Sequence, residues 1–270
     1  MSESVVPSAD EHLTDGWEPE LAADDTLLRQ CVLVHASWPV AVASSTGRPW
    51  HRDDRWAGAW IGDRGWFTNL ACLLRPPDDP GSIVREIGEV IPAHVPYTLL
   101  NPWPGDLSPY GLRLIGHPPL MVRFPGPAAP PLGVDVREVH DADHLAVAEQ
   151  VLVEGYPMPE LQPLSRGDLF GPAILGHATR VWLGFVDGEP VSVAAAHHDG
   201  GVTLVEYVAA LPAARGRGAG AAVTWAATLS EPTAPAVLIA SDDGRPVYAR
   251  MGYRAIERWH AWVRIPEPRD

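Results

Sequence analysis

Residues 215–220 of the chain, which read RGRGAG, are the residues most able to do chemistry. An apolar run over residues 202–210 precedes them, and an alanine-rich segment typical of a helix follows at residues 221–227. Glycines let the backbone approach a ligand closely, and N–H groups at a helix N-terminus point toward an anion with the positive end of the helix dipole. The run therefore predicts a site for a phosphorylated ligand.

Alternating strands and helices must position this loop. In the C-terminal half, hydrophobic periodicity and Asp-Gly turn dipeptides predict a mixed-sheet α/β domain of the α+β type. Its strands are predicted at residues 134–139, 180–186, 191–197, 202–210, 236–240 and 255–264, and its helices at residues 141–152, 167–176, 219–229 and 245–251. The glycine-rich run thus lies between the third strand of a meander and the following helix.

Two motifs in residues 133–266 resemble the GCN5-related N-acetyltransferase (GNAT) family. Arg215, Gly218 and Gly220 match the family's Arg/Gln-x-x-Gly-x-Gly/Ala pyrophosphate loop. Residues 240–253, which read ASDDGRPVYARMGY, resemble the family's helix that ends in a tyrosine shortly before a Gly-Phe/Tyr pair. The resemblance implies the acyl-CoA N-acyltransferase fold, with acetyl-CoA as cosubstrate.

The same resemblance implies how coenzyme A is held. Backbone N–H groups of the loop would bind the pyrophosphate, and the pantetheine arm would add as a pseudo-strand beside residues 208–210. The cofactor-binding residues are then Val208, Ala209, Ala210, Arg215, Gly216, Arg217, Gly218, Ala219, Gly220, Ala221 and Ser241. No pattern of His, Cys and carboxylates at ligand spacing appears, so we expect no metal.

The implied reaction is direct attack of a primary amine on the thioester, through a tetrahedral intermediate. Tyr248 stands where the family's general acid stands, and its phenol pKa is near that of the thiol leaving group. The Val208 N–H is the candidate oxyanion donor. Glu206 is a candidate base, with a solvated or salt-bridged strand residue as the equal alternative, and His197 or His198 could instead act through water.

The acceptor is predicted to be a small amine, although the sequence does not name it. The segment after the first helix of the C-terminal half often lines the acceptor pocket in the family. On this basis Glu154, Tyr156 and Glu160 could line the acceptor pocket. Glu154 and Tyr156, together with His197 at the end of the predicted strand 191–197, are the candidate substrate-binding residues.

The N-terminal half looks like a degenerate copy. Met-Val-Arg at 121–123 and Trp-Val-Arg at 262–264 close the two halves, about 140 residues apart, and residues 66–71 align with 204–209. Residues 75–81 read RPPDDPG, in which prolines remove donors and aspartates repel a pyrophosphate. We therefore predict a tandem protein with an N-terminal lobe at 1–127 that does not bind coenzyme A, a linker at 128–133 and a catalytic domain at 134–270.

The N-terminal half also concentrates aromatic residues and predicted secondary structure. A hairpin is predicted over residues 55–74, a helix at 81–91, a strand at 97–101 and a helical turn at 106–113. Seven of the eleven tryptophans lie here, and they are predicted to form a core or lobe interface, with some lining a ligand pocket. These residues are Trp17, Trp38, Trp50, Trp56, Trp60, Trp66 and Trp103.

Composition limits the partners. The net charge of −14 argues against nucleic acid and anionic membranes. Cys31 and Cys72 lie in apolar contexts typical of buried free thiols, and the N-terminal residues carry no signal-peptide pattern, so we expect a cytoplasmic protein. A sheet edge or the tryptophan-rich lobe could support a homodimer.

Two other functions fit parts of the sequence. A non-catalytic acyl-CoA-binding or regulatory protein would keep the fold and the loop without turnover. In a dinucleotide-binding Rossmann domain, residues 216–221 would be the glycine-rich fingerprint motif. Against this interpretation, the preceding strands look antiparallel and no ribose-binding acid follows at the expected spacing.

Overall fold

Two mixed β-sheets with helices packed against them form the described part of the chain, which comprises residues 26–156, 158–176 and 178–266 of a computed structural model. In chain order the elements are α1 (Leu27–Thr46), β1 (Trp50–Arg52), β2 (Trp56–Ala59), β3 (Leu70–Leu73), α2 (Pro80–Val90), β4 (Tyr97–Asn101), β5 (Arg113–Gly116), β6 (Pro119–Arg123), β7 (Asp135–Glu138), α3 (Ala142–Gly155), β8 (Thr179–Val186), β9 (Glu189–Asp199), β10 (Val202–Ala210), α4 (Ala219–Thr228), β11 (Ala236–Ile239), α5 (Arg245–Arg250), β12 (Arg254–Arg258) and β13 (His260–Arg264).

The described strands form a six-stranded sheet in the order β1-β2-β3-β4-β13-β5 and a seven-stranded sheet in the order β12-β6-β11-β10-β9-β8-β7. We call the first sheet with α1 and α2 the first lobe, and the second sheet with α3, α4 and α5 the second lobe. Each sheet contains one strand from the other half of the chain, because β6 joins the second sheet and β13 joins the first.

This strand exchange corrects one predicted element. The sequence predicts a single final strand over residues 255–264, but the structure divides it into β12 and β13, which lie in different sheets. The break is at Trp259, whose side chain is fully buried and whose N–H donates to the Pro118 carbonyl, 3.1 Å away. The predicted division of the chain into an N-terminal lobe that ends at residue 127 and a catalytic domain that begins at residue 134 stays a prediction. Each sheet contains strands from both sides of this division.

The two sheets repeat one pattern. In each, a strand pairs in parallel with the next one (β3 with β4, β10 with β11), which pairs antiparallel with the exchanged strand. The exchanged strands carry the two matching tripeptides, so the predicted correspondence of 121–123 with 262–264 agrees with the topology. The strand pairings place Leu70 at the position equivalent to Leu204, whereas the sequence comparison aligned Trp66 with Leu204. The two alignments therefore differ by four residues.

Helix α1 was not predicted, and it holds the two lobes together. Thr26 caps it by accepting the Arg29 N–H, and it ends at Gly47, whose φ of 69° is left-handed. It packs against β2 and β3 of the first lobe and against β9 and β10 of the second. Since it is buried on several sides, its sequence lacks the one-sided apolar pattern that identifies a surface helix.

The helix predicted at residues 167–176 is wrong. Only a short 3-10 turn forms, at Pro172–Ile174. The buried Glu149 carboxylate accepts the N–H groups of Gly167, Leu169 and Phe170, and these bonds hold the segment as an irregular loop. A carboxylate on another element thus supplies acceptors that a helix would have supplied itself.

The hydrophobic core joins the lobes. One cluster takes apolar side chains from α1, α3 and strands of both sheets. Cys31 and Cys72 are buried free thiols in it, and burial raises the pKa of each to about 12. Trp17 lies outside the described residues. Among the helices described, none has the length and hydrophobicity that a bilayer crossing needs.

Candidate active site

The N-terminus of α4 is open. Gly218 occupies the N-cap position with a left-handed φ of 84° and provides no side-chain cap. The first backbone bond of the helix runs from the Ala222 N–H to the Gly218 carbonyl. The preceding N–H groups, those of Ala219, Gly220 and Ala221, therefore have no acceptor within the helix. Three N–H groups at the positive end of a helix form a site for an anion.

The two arginines of the loop have different contacts. The Arg215 guanidinium donates to the Gly155 carbonyl at the end of α3, over 3.0 Å, and so ties the loop to that helix. Arg217 pairs with Asp187 over 3.0 Å, and its own N–H donates to the Ala214 carbonyl in a turn. The predicted Arg217 N–H is therefore already engaged in this structure.

The strands before and after α4 separate next to this loop. Parallel pairing of β10 with β11 ends at Leu204 and Val237, although both strands continue. On its other side, β10 shifts register against β9 between Glu206 and Ala209, and Tyr207 has a left-handed φ of 52°. The shift disturbs the regular alternation of side chains and opens the sheet at its middle.

A cavity of about 640 Å³ lies at this opening. Its walls come from both lobes, with apolar and aromatic side chains predominating. The residues that concern the chemistry are Trp38, Trp66, Phe67, Tyr156, Glu206, Tyr207, Val208, Ser241 and Tyr248. The first lobe therefore forms part of the same cavity as the predicted catalytic residues.

Glu206 has an unusual environment for a carboxylate. It lines the cavity, and burial raises its pKa to about 7, with the Tyr207 N–H opposing that rise. In the described residues it takes part in no salt bridge. A carboxylate with a pKa near 7 is suited to accept a proton near neutral pH.

Tyr248 faces the same cavity from α5. Its ring packs on Gly244, where an added Cβ would lie 2.7 Å from the ring. Burial raises the pKa of Tyr248, and the nearby Tyr156, Tyr253 and Glu206 raise it further. The phenol therefore stays protonated, as a general acid must before it acts. Ser241, also at the cavity, accepts the Gly244 N–H through its hydroxyl.

No protein-family model matches the chain, and no curated protein matches it. Among solved structures, a GCN5-related N-acetyltransferase from Kribbella flavida is 25% identical with a TM-score of 0.58, over 85% of this chain and 95% of its own. The chain fits the GCN5-related N-acetyltransferase family.

Two further GNAT structures share the fold. An acetyltransferase of the GNAT family from Novosphingobium aromaticivorans is 16% identical with a TM-score of 0.53, over 83% of this chain and 95% of its own. A GCN5-related N-acetyltransferase-like protein from Streptococcus suis is 14% identical with a TM-score of 0.51, over 88% and 97%. The predicted acyl-CoA N-acyltransferase fold with two lobes is confirmed, and this fold supports acyl transfer in general.

Two predicted substrate-binding residues lie away from the cavity. His197 is buried, and its two ring nitrogens lie 2.9 Å from the Ser37 hydroxyl and 2.8 Å from the Thr179 hydroxyl. Burial lowers its pKa to about 4. Glu154 is exposed and accepts a bond from the Gln150 amide. Tyr156, the third candidate, does line the cavity.

His198 faces the other side of the sheet. Its ring nitrogens lie 3.0 Å from the Thr203 hydroxyl and 3.2 Å from the Ser230 hydroxyl. Burial lowers its pKa. Neither histidine of this strand lines the cavity, which leaves Glu206 as the candidate base that does.

Sequence reasoning missed most of the cavity wall. The sequence predicts that some of the N-terminal tryptophans line a pocket, and Trp38 and Trp66 do so. It gives no such prediction for Phe67 or Tyr207. Tyr207 enters the wall because the strand irregularity turns it toward Trp38, with ring centroids 5.2 Å apart. Only the aromatic-rich composition of the N-terminal half gave a signal for this wall.

Proposed function

We propose that this chain is an N-acetyltransferase that moves the acetyl group of acetyl-CoA to a primary amine of a small-molecule acceptor. The observation that carries the proposal is the convergence of three features at one opening. An uncapped helix N-terminus, a separated strand pair, and a carboxylate facing a cavity with a tyrosine all lie in the second lobe.

The residues of the loop fit a pyrophosphate. An added Cβ at Gly216 meets nothing within 4 Å, and one at Gly220 meets only the Ala210 side chain, at 3.8 Å. The backbone is thus accessible where the N–H groups of Ala219, Gly220 and Ala221 converge, and phosphate oxygens would accept from them. Arg215 adds positive charge beside the loop.

The chain's own residues then divide the chemistry. Glu206 takes a proton from the acceptor ammonium, and the neutral amine attacks the thioester carbonyl carbon. The ladder between β10 and β9 skips Tyr207 and Val208, which supports the Val208 N–H as a donor to the oxyanion of the tetrahedral intermediate. As the C–S bond breaks, Tyr248 gives its proton to the thiolate. The nitrogen then loses its second proton, which restores the Tyr248 phenol, and the products are the amide and free coenzyme A.

The proposed pyrophosphate site can be tested by a substitution that adds a negative charge to the loop without backbone strain. Gly220→Glu puts a carboxylate in the first turn of α4, where φ is ordinary and the helix dipole favours it, so the fold is kept. Gly218 is unsuitable because its φ is left-handed and Pro131 lies 3.2 Å from an added Cβ. We expect calorimetry to show micromolar acetyl-CoA binding to the wild type and none to Gly220→Glu.

Gly88→Glu is the matched control. Gly88 lies in α2 of the first lobe, and an added Cβ there meets nothing within 4 Å. It should bind acetyl-CoA as the wild type does. Absence of binding to the folded wild type, or unchanged binding to Gly220→Glu, would overturn the proposal. Binding without thiol release for any amine would favour a non-catalytic acyl-CoA-binding protein.

A further inference from the structure

One wall of the cavity is aromatic, with side chains from both lobes. Phe67 stacks on Tyr156, with ring centroids 4.8 Å apart and planes 23° apart. Trp66 contacts Phe67 edge-on at 6.1 Å, and Tyr207 lies 5.8 Å from Phe67. Trp38 extends this surface through its contact with Tyr207. We call these five side chains the aromatic wall.

The polar groups that share the cavity are mostly engaged within the protein. The Thr98 hydroxyl donates to the Trp66 carbonyl over 2.9 Å. The Arg258 guanidinium donates to the His117 carbonyl over 2.8 Å. These bonds hold the cavity wall together. Two charged residues that also line the cavity, Arg258 and Asp242, are exposed to solvent.

Glu206 differs from these two residues because it is largely shielded from solvent. It lies against Tyr207 of the aromatic wall, and only burial and the Tyr207 N–H shift its pKa, which means that no described cation neutralises it. A partly buried carboxylate without a counterion is costly. An ammonium group on the ligand would supply the counterion, and aromatic faces attract cations as well.

We infer that the acceptor is a hydrophobic monoamine, whose single ammonium pairs with Glu206 while an aromatic or branched aliphatic body packs on the aromatic wall. This inference rests on the proposed function, since it names the acceptor class of the same site. A carboxylate or a second ammonium on the body of the acceptor would lie against the aromatic wall, whose five side chains carry no charge to pair with it.

The test compares amines that share a body or a charge. At saturating acetyl-CoA, thiol release would be followed with 2-phenylethylamine, with L-phenylalanine (the same body with a carboxylate) and with putrescine (two ammonium groups). We expect kcat/KM for 2-phenylethylamine to exceed that for either charged amine by about 100-fold, since each added charge must be desolvated. A preference for phenylalanine or putrescine, or thiol release with none of the three by a protein that binds acetyl-CoA, would overturn the inference.

Substitutions in the aromatic wall test the inference independently of the comparison of amines. Trp66→Ala and Phe67→Ala should raise KM for 2-phenylethylamine about tenfold, because each removes apolar contact area, and should leave the Kd of acetyl-CoA unchanged. Trp50→Ala, at an exposed position of β1 outside the cavity, is the matched control. Unchanged KM in both wall variants would show that the wall does not contact the acceptor. Failure of the proposed function is distinguishable, because the wild type would then fail to bind acetyl-CoA, or would bind it and release no thiol with any amine.

Discussion

The two lobes share one topology but differ at the point where a site can form. In the second lobe, parallel pairing of β10 and β11 ends at Leu204 and Val237. In the first lobe, the equivalent strands β3 and β4 stay paired for two more residues, through Cys72 and Leu100. A cleft in this fold therefore depends on a local irregularity of one strand, and the first lobe lacks it.

The helix that follows each strand shows the same contrast. Asp79 caps α2 by accepting the Ser82 N–H over 3.1 Å, and Pro80 begins that helix without a donor. Helix α4 begins with Gly218 and has no side-chain cap. The Asp79 side chain occupies the N-terminus of α2, whereas the N-terminal N–H groups of α4 stay accessible to water or to an anion.

Equivalent positions also differ in chemistry. The strand pairings align Cys72 of β3 with Glu206 of β10. Tyr110, in the short turn before β5, takes the place of Tyr248 on α5 before β12, and it is 40% exposed. The first lobe thus has different residues, or a differently exposed tyrosine, at the positions of both proposed catalytic residues, and these positions serve as internal controls.

The largest catalytic effect is expected at Glu206. Glu206→Gln removes the proton acceptor and should lower kcat/KM by about 10²- to 10⁴-fold above pH 7. Since the pKa of Glu206 is raised to about 7, the ratio of wild-type to variant kcat/KM should grow as the pH rises from 5 to 8. The ionisation of the free amine affects kcat/KM of both proteins equally, so it does not change this ratio.

Its counterpart Cys72→Ala should keep wild-type kcat/KM over the same pH range. A pH-independent ratio for Glu206→Gln would contradict the assignment of Glu206 as the base.

Tyr248→Phe is expected to have the next largest effect. It removes the proton donor for the thiolate and should lower kcat about 100-fold while leaving the Kd of acetyl-CoA nearly unchanged. Tyr110→Phe in the first lobe should change neither constant. Steady-state kinetics with calorimetry separates these outcomes, and an equal loss in both tyrosine variants would argue that the effect is structural.

A stability effect should accompany Glu206→Gln. Because the folded-state pKa is raised above the ordinary value of 4.5, folding favours the protonated carboxyl, and this favourable contribution is lost as the pH rises from 4.5 to about 7. The variant should therefore match the wild type near pH 4.5 and exceed its free energy of unfolding by about 3 kcal/mol above pH 7. Denaturant titrations at the two pH values measure this, and a variant less stable at pH 8 would refute it.

The smallest effect is expected in the first lobe. Asp79→Ala removes the cap of α2 and should lower the free energy of unfolding by about 1 kcal/mol. Acetyl-CoA stoichiometry should stay the same, because the strands beside α2 remain paired. A second binding event in this variant would show that the cap alone closes the first lobe.

The sequence predicted the features that are local. The glycine run, the helix that carries Tyr248 and most elements of the second lobe depend on neighbours in the chain, and the structure forms these elements near their predicted bounds. The prediction of one strand over residues 255–264 was wrong, because the position of β13 in the first sheet depends on its pairing with strands that are distant in the sequence. Helix α1 was missed because it contains Pro39 and is buried against both sheets.

The site could be predicted only in part. Regular alternation would place Leu204 and Tyr207 on opposite faces of β10, yet both pack in the same core because Tyr207 adopts a left-handed φ. No local pattern signals this conformation for a tyrosine. The aromatic wall and the displacement of His197 from the cavity follow from tertiary packing, which the sequence pattern does not encode.

The most direct test of the account is the stoichiometry of acetyl-CoA binding to the wild-type chain by calorimetry. The account predicts one site per chain with micromolar affinity, on the order of −8 kcal/mol. Two sites per chain would show that the first lobe also binds the thioester and would contradict the contrast between the lobes. No binding by the folded chain would contradict the assignment of the second lobe.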